Sequence, residues 1–443
     1  MAQHFLDKLE EDRAFDLIEA SDAISLLRKQ IVRRSHDCSE STPRIVGQEK
    51  LVDGMLMALI LGEHCLIEGS PGLVKTEASK TLADMSGLVF RRIQFTPDML
   101  PSDLISRERL ELTKGVAAMI WEPGPIFTNV LLADEINRAS SKLQSALLEA
   151  TEERQVTTLY RQKMLIRPKP PLDLDEETLL KDFGPFFGAT ACDRKPQQFM
   201  VLATMNPIEQ EGVYPLSEAQ VDRFAFKLVV DYPPGSDLAE ISKHAFEHPR
   251  PASDVSDSRN RDHVKTLYFF SSLRNMLVGQ AARDRWLTNQ QLRPKCEILV
   301  NFTHLRSLSR HPVDGEGPTF AWAPPSGVKQ DELCALLAQW RSSTDPELKS
   351  RGERILAWSN EESYPEVLSG ASPRGLLKLV RAIHARAFLR GGFSKQQANP
   401  KWQDVCAVAP EVLRHRIRIS SASLSTGGGT DNFISELLRW LEK

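Results

Sequence analysis

The run Gly69, Ser70, Pro71, Gly72, Leu73, Val74, Lys75, Thr76 follows an apolar segment, Cys65-Leu66-Ile67, and opens a helix-forming stretch. Glycine-rich chain between a strand and a helix lets backbone N–H groups and a helix N-terminus converge on phosphates. The lysine then neutralises the outer charge, and the threonine hydroxyl reaches a magnesium ion. This pattern reads as a phosphate-binding loop and commits the chain around it to strand–loop–helix geometry. The strict pattern wants glycine where this chain has Val74, and a β-branched residue there is strained if φ is positive.

Short apolar segments at 64–68, 88–95, 130–133, 199–204 and 226–230 alternate with helical stretches. Alternation of this kind predicts an α/β core, a parallel sheet covered by helices. Ahead of it, Phe15, Ile18, Ile24 and Leu27 recur at helical spacing within 13–34, and a polar linker fills 35–43. Segments 109–112 and 116–121 flank Thr113-Lys114-Gly115, which predicts a projecting hairpin with a three-residue bulged loop. The stretch 158–198 is Pro-rich and charge-segregated and reads as an insertion.

Beyond 233 the pattern is mainly helical, with irregular stretches at 249–261 and 312–327. Its clearest helix starts at Ser372-Pro373 and ends at Gly391, with serine as N-cap, proline at the first position and glycine after the end. Gly427 to Gly429 make a joint before a final helix whose Phe433, Leu437, Leu438 and Leu441 share one face. The expected divisions are a helical segment 1–42, a core 43–232 carrying the hairpin insert 105–122 and the insertion 158–198, a helical domain 233–426, and a linker with C-terminal helix 427–443.

With 443 residues the chain exceeds a single core. Its 56 basic and 59 acidic residues nearly balance, so no global field favours nucleic acid or an anionic membrane. The six cysteines form no Cys-x-x-Cys pair, which fits reduced thiols in a cytoplasmic setting. The N-terminus is charged without an apolar h-region, and the most apolar segment, 55–61, is too short to span a bilayer, so membrane insertion is not expected. No histidine sits in an H-E-x-x-H pattern, and none suggests a transition-metal site. Asp254, Ser256 and Ser258 match a D-x-S-x-S metal motif but lack the apolar strand that should precede it, so the match reads as coincidence.

The segment Val130-Leu131-Leu132-Ala133 ends in Asp134 and Glu135. Two carboxylates at the end of a strand beside a phosphate loop suit two tasks: Asp134 holds the magnesium shell with Thr76, and Glu135 polarises a water for in-line attack on the γ-phosphate. Asn206 ends another apolar strand and could orient that water. Ser217 and Gln220 stand at capping-box spacing, so a short helix presents Asp222 and Arg223 near its end. Two readings of Arg223 stay open: it reaches a neighbouring subunit's nucleotide, or it pairs with an acid of its own core.

The chain resembles MoxR-type AAA+ ATPases. The match is carried by IVGQ (45–48), GSPGLVKTE (69–77), RIQFTPDMLPSDL (92–104), PGPIF (123–127), LLADEINRASSKLQSALLEATEERQVT (131–157), ATMNPIEQEGVYPLSEAQVDRF (203–224) and GASPRG (370–375), returning at VAPEVLRHR (408–416). The resemblance implies an AAA+ P-loop NTPase core with a parallel five-stranded sheet and an enlarged, mainly helical lid, and ATP and Mg2+ as cofactors. It makes Gly69 to Thr76 the Walker A loop, brings Gln48 and Glu77 into the nucleotide-binding set, and makes Asp134 and Glu135 Walker B. Asn206 becomes the first sensor, Arg223 a trans arginine finger and Arg374 the second sensor. It further implies a homo-hexameric ring, the 109–121 hairpin near its pore, and chaperone-like remodelling of a protein partner, for which von Willebrand A domain proteins are the family's usual class. Two other classes stay in view: an NTPase motor in a nucleic-acid-processing complex, against which the near-neutral charge and the MNPIEQEG segment speak, and a nucleotide-binding scaffold.

Overall fold

A computed structural model of the chain describes residues 17–33, 45–69, 74–113, 116–157, 162–164, 198–206, 214–232, 269–270, 273–274, 276–303, 337–359, 367–391, 393–394, 397–420 and 429–442. Outside them lie loop residues 70–73, most of the 158–198 insertion, the D-x-S-x-S match at 254–258, the irregular stretch 312–327 and residues 427–428 of the C-terminal joint. The chain divides into two compact units, Met1–Met276 and Leu277–Lys443.

The first unit is built on a parallel five-stranded sheet of β1 (Cys65–Gly69), β2 (Phe90–Gln94), β3 (Val130–Asp134), β4 (Met200–Met205) and β5 (Phe226–Val230), in the order β5-β1-β4-β3-β2. Registers of Leu202 with Cys65, Met200 with Val130, Phe90 with Val130 and Phe226 with Cys65 bring the strand ends level. β3 is buried along its whole length. A strand covered on both faces reads as a continuous apolar run, as β3 and β4 do. Phe95, Phe127, Leu131, Leu147, Phe199 and Phe224 share one buried cluster against the sheet. Emptying a site such as Phe127 would cost about 3–5 kcal/mol.

The helix Glu49–Leu61 ends at Gly62, whose φ of 64° favours glycine and which packs beneath the Arg274 guanidinium. The terminal carbonyls of this helix are satisfied from far along the chain. Leu59 O accepts Gln198 Nε2 at 2.8 Å, Ile60 O accepts Arg274 Nε at 3.3 Å, and Gly62 O accepts Arg154 Nη2. Cations at a helix C-terminus also complement its dipole. Burial pulls the Arg154 guanidinium below its ordinary pKa, and Glu63 opposes that shift.

Two expectations are corrected. The N-terminal helix spans Leu17–Ile31 and stops short of residue 34, because Val32 and Arg33 pair in parallel with Ile45 and Val46. The extended conformation suits β-branched Val32, and Arg28 ties the helix to Asp53. The strands of the hairpin are longer and its connection tighter than predicted. Ser106–Thr113 pairs with Val116–Pro123, and Thr113 lies directly opposite Val116, so two residues connect the strands instead of three. At its root, a Cβ on Gly124 would stand 2.3 Å from Leu104 O.

In the second unit the helix Pro373–Leu389 follows Ser372 and is closed by Gly391 at φ 74°. Ser372 has extended N-cap dihedrals, but its buried Oγ has no hydrogen-bond partner, so the predicted capping bond is not made. Gly375 packs closely on Arg416, whose Cδ would stand 3.0 Å from a Cβ there. The final helix, Thr430–Glu442, buries Phe433, Leu437, Leu438 and Leu441 together, as its spacing predicts, and adds Ile434. Among the described residues no helix is long and apolar enough to cross a membrane.

Candidate functional site

The parallel register brings the C-terminal ends of β1, β3 and β4 side by side, and the candidate residues sit at those ends. Ligands of open α/β sheets bind outside this edge. Gly69 closes β1 beneath β5, and a Cβ there would stand 2.8 Å from Val230 O. Ser70, Pro71, Gly72 and Leu73 lie outside the described residues. Val74, the N-cap of the helix Lys75–Met85, has φ 42° and ψ 0°. The sequence-level condition for strain is therefore met: a β-branched residue holds the left-handed conformation that glycine adopts without cost, at roughly 1–3 kcal/mol.

Lys75 Nζ donates to Gly69 O at 2.7 Å, which ties the start of the helix to the end of β1. Thr76 and Glu77 follow in the first turn of the helix, where backbone N–H groups have no intrahelical acceptors and favour an anion. Gln48, from the matched IVGQ segment, donates a long hydrogen bond to Asp231 O at 3.4 Å.

Asp134 is the last residue of β3 and is 9 % exposed. Thr204, from β4, donates to Asp134 Oδ1 and accepts the Glu135 backbone N–H at 3.0 Å. Arg92, from β2, donates to Asp134 Oδ2 from Nε at 3.1 Å and from Nη2 at 2.7 Å. Glu135 takes φ 57°, ψ 50°, a left-handed turn that swings its side chain off the strand direction. Its buried Oε2 has no hydrogen-bond partner, although Arg138 Nε forms an ion pair with it at 3.3 Å. Asn206 is buried just beyond β4, and its carbonyl accepts Asn137 Nδ2 at 3.3 Å.

The donor set, a threonine hydroxyl and a carboxylate, consists of hard oxygens of the kind magnesium takes. Glu135 Oε2, ion-paired with Arg138 but without a hydrogen bond, is a buried acceptor with capacity for a water, and the Lys75 ammonium with the helix N-terminus suits phosphate. The residues present therefore fit a magnesium nucleotide.

Arg223 follows the short helix Glu218–Val221, where the Ser217 N–H donates to Gln220 Oε1 at 2.7 Å as the capping-box spacing predicts. Its Nη1 donates to Leu148 O at 2.7 Å, and its Nη2 lies 3.0 Å from Glu152 Oε2. Within the single chain Arg223 thus has an acid of its own unit as partner. Arg374 is exposed in the first turn of Pro373–Leu389 and belongs to the second unit.

Sequence reasoning gave no role to Arg92 or Thr204. Thr204 was detectable as the one hydroxyl in an apolar strand. Arg92 was not, because its partner lies on a strand about forty residues away and only the β2–β3 register joins them.

Comparison with known proteins agrees with this geometry. The model of the ATPase family associated with various cellular activities (AAA) matches residues 64–170 and 189–226, and the AAA lid domain matches 363–436. The chaperone MoxR1 of Mycobacterium tuberculosis is 30 % identical over 395 residues, which cover 89 % of this chain and 78 % of that protein. Protein MoxR of Methylorubrum extorquens is 24 % identical over 383 residues, 85 % of each chain. A crystal structure of a candidate ATPase from Cytophaga hutchinsonii superposes with a TM-score of 0.58 at 27 % identity, covering 99 % of this chain and 95 % of that one.

Proposed function

This chain belongs to the MoxR family of AAA+ ATPases, and on that premise we propose that its ATP hydrolysis is magnesium-dependent, takes place in a hexameric ring and drives chaperone-like remodelling or activation of a protein partner. The observation that carries the reading is the acid pair at the end of β3. Asp134 is oriented by two neighbouring strands, while Glu135 beside it keeps a buried oxygen without a hydrogen bond.

In this reading Gly69 to Thr76 cradle the phosphates, Lys75 exchanges Gly69 O for a phosphate oxygen, and Gln48 and Glu77 complete the nucleotide contacts. Thr76 and Asp134 hold magnesium, which when bound supplies charge neutralisation of the phosphates. Glu135 accepts hydrogen from the attacking water through Oε2, and Asn206 orients that water. Arg223 would leave Glu152 to stabilise charge at a neighbour's γ-phosphate, and Arg374 would contact the phosphates from the lid. Positioning and charge stabilisation supply most of the catalysis in phosphoryl transfer. The partner class we favour is a von Willebrand A domain protein, and the setting is cytoplasmic.

The test is complementation. Arg223→Ala and Glu135→Gln proteins should each be inactive in phosphate release and should recover measurable activity when mixed under conditions where rings exchange subunits. Mixed rings with no recovered turnover would remove the trans assignment.

A further inference from the structure

Asp134 carries three hydrogen bonds from two side chains, and those side chains are held very differently. Thr204 is 1 % exposed, and its hydroxyl oxygen already accepts the Glu135 N–H, so its one hydrogen is committed to Asp134 Oδ1. Arg92 has a side chain 44 % exposed, and its Nη2 is shared with a second acceptor, Gln94 Oε1, at 3.1 Å. Both donors of the guanidinium fork fall on Oδ2, which occupies the lone-pair directions of that oxygen. A cation that engages Oδ2 must therefore displace Arg92, because Thr204 has no freedom to yield and approaches the other oxygen.

Resting on the reading of Asp134 as the magnesium-shell carboxylate, we propose that Arg92 is a resident counter-cation that competes with magnesium for Asp134. It neutralises the carboxylate before nucleotide arrives and is handed to Gln94 and solvent when the cation binds. Arg92 then sets how strongly nucleotide affinity depends on magnesium, and it does so as a positioning residue that need not touch the reacting atoms.

The experiment uses the full chain and a fluorescent, non-hydrolysable ATP analogue, with Kd measured in EDTA and in saturating magnesium for wild type, Arg92→Gln and Arg92→Lys. Removing a partly exposed ion-pair competitor should raise the ratio Kd(EDTA)/Kd(magnesium) about fivefold in Arg92→Gln. Arg92→Lys, which keeps the charge, should stay near wild type. The ratio is taken within one variant, so partial loss of folded protein does not move it. A wild type that responds to magnesium while Arg92→Gln shows an unchanged or smaller ratio overturns the competition alone. A wild type that binds the analogue equally with and without magnesium overturns the inference together with the metal role of Asp134.

Discussion

Thr204 offers the sharpest perturbation of the site. Its hydroxyl links the end of β4 to both acids at the end of β3, donating to Asp134 and accepting from the Glu135 backbone. Thr204→Val keeps the shape and removes both bonds. A buried carboxylate oxygen and a buried amide then lose their partners, each costing about 1–3 kcal/mol, so the first unit should lose roughly 2–6 kcal/mol. For a unit of this size that is a fall of roughly 5–20 °C in Tm. Thermal unfolding by circular dichroism reads the stability term, and phosphate release at saturating ATP reads the catalytic one. Thr204→Ser, which restores the hydroxyl, should recover most of both. A Thr204→Val protein that melts within about 2 °C of wild type and turns over ATP at the wild-type rate would show that the acids are not organised through this residue.

Other expectations are read more simply. Lys75→Ala should abolish ATP turnover while Val74→Ala leaves it largely intact, because alanine keeps a Cβ at φ 42° and adds no new strain; equal loss in both, measured by phosphate release, would give Val74 a role that backbone geometry does not explain. Burial holds the His384 imidazole below its ordinary pKa, although its bond to Val380 O opposes the shift. The stability this contributes to the second unit is present in full above the unfolded value of ~6.5 and is lost as pH falls through the folded value. Denaturant midpoints should accordingly drop between pH 7 and 5, and drop less in His384→Gln. The Cys296 thiol is pushed up to about 12 and that of Cys406 to about 11, burial leading in both. At pH 8 their thiolate fractions are then ~10⁻⁴ and ~10⁻³, so iodoacetamide should label them only after unfolding.

Sequence alone determined what depends on neighbouring residues. The apolar runs ending in Asp134 and Met205 had to be buried strands, because chain of that composition cannot remain in water and its lack of alternation leaves no solvent face, whereas the run ending in Val230 alternates and leaves Val229 exposed. The loop before Lys75, the acid pair, the asparagine after β4 and the arginine after the capped turn all sit at fixed distances from those strands, so their placement as candidates could be read from the chain itself. The positive φ at Val74 was legible as a condition, since glycine's usual place had been taken by valine.

Tertiary structure decided what depends on register and on distant partners. The hairpin loop was misjudged because pairing Thr113 with Val116 satisfies the ladder with one fewer loop residue, a choice made by strand twist. The partners of Asp134 could not be read locally either. Arg92 and Thr204 reach it only because β2 and β4 flank β3, an order set by crossover connections and invisible in any short window. The same holds for Arg223 on Glu152 and for the three side chains that close the helix Glu49–Leu61. A charge or a buried carbonyl needs a partner, and which residue supplies it is fixed by the fold that brings distant segments together.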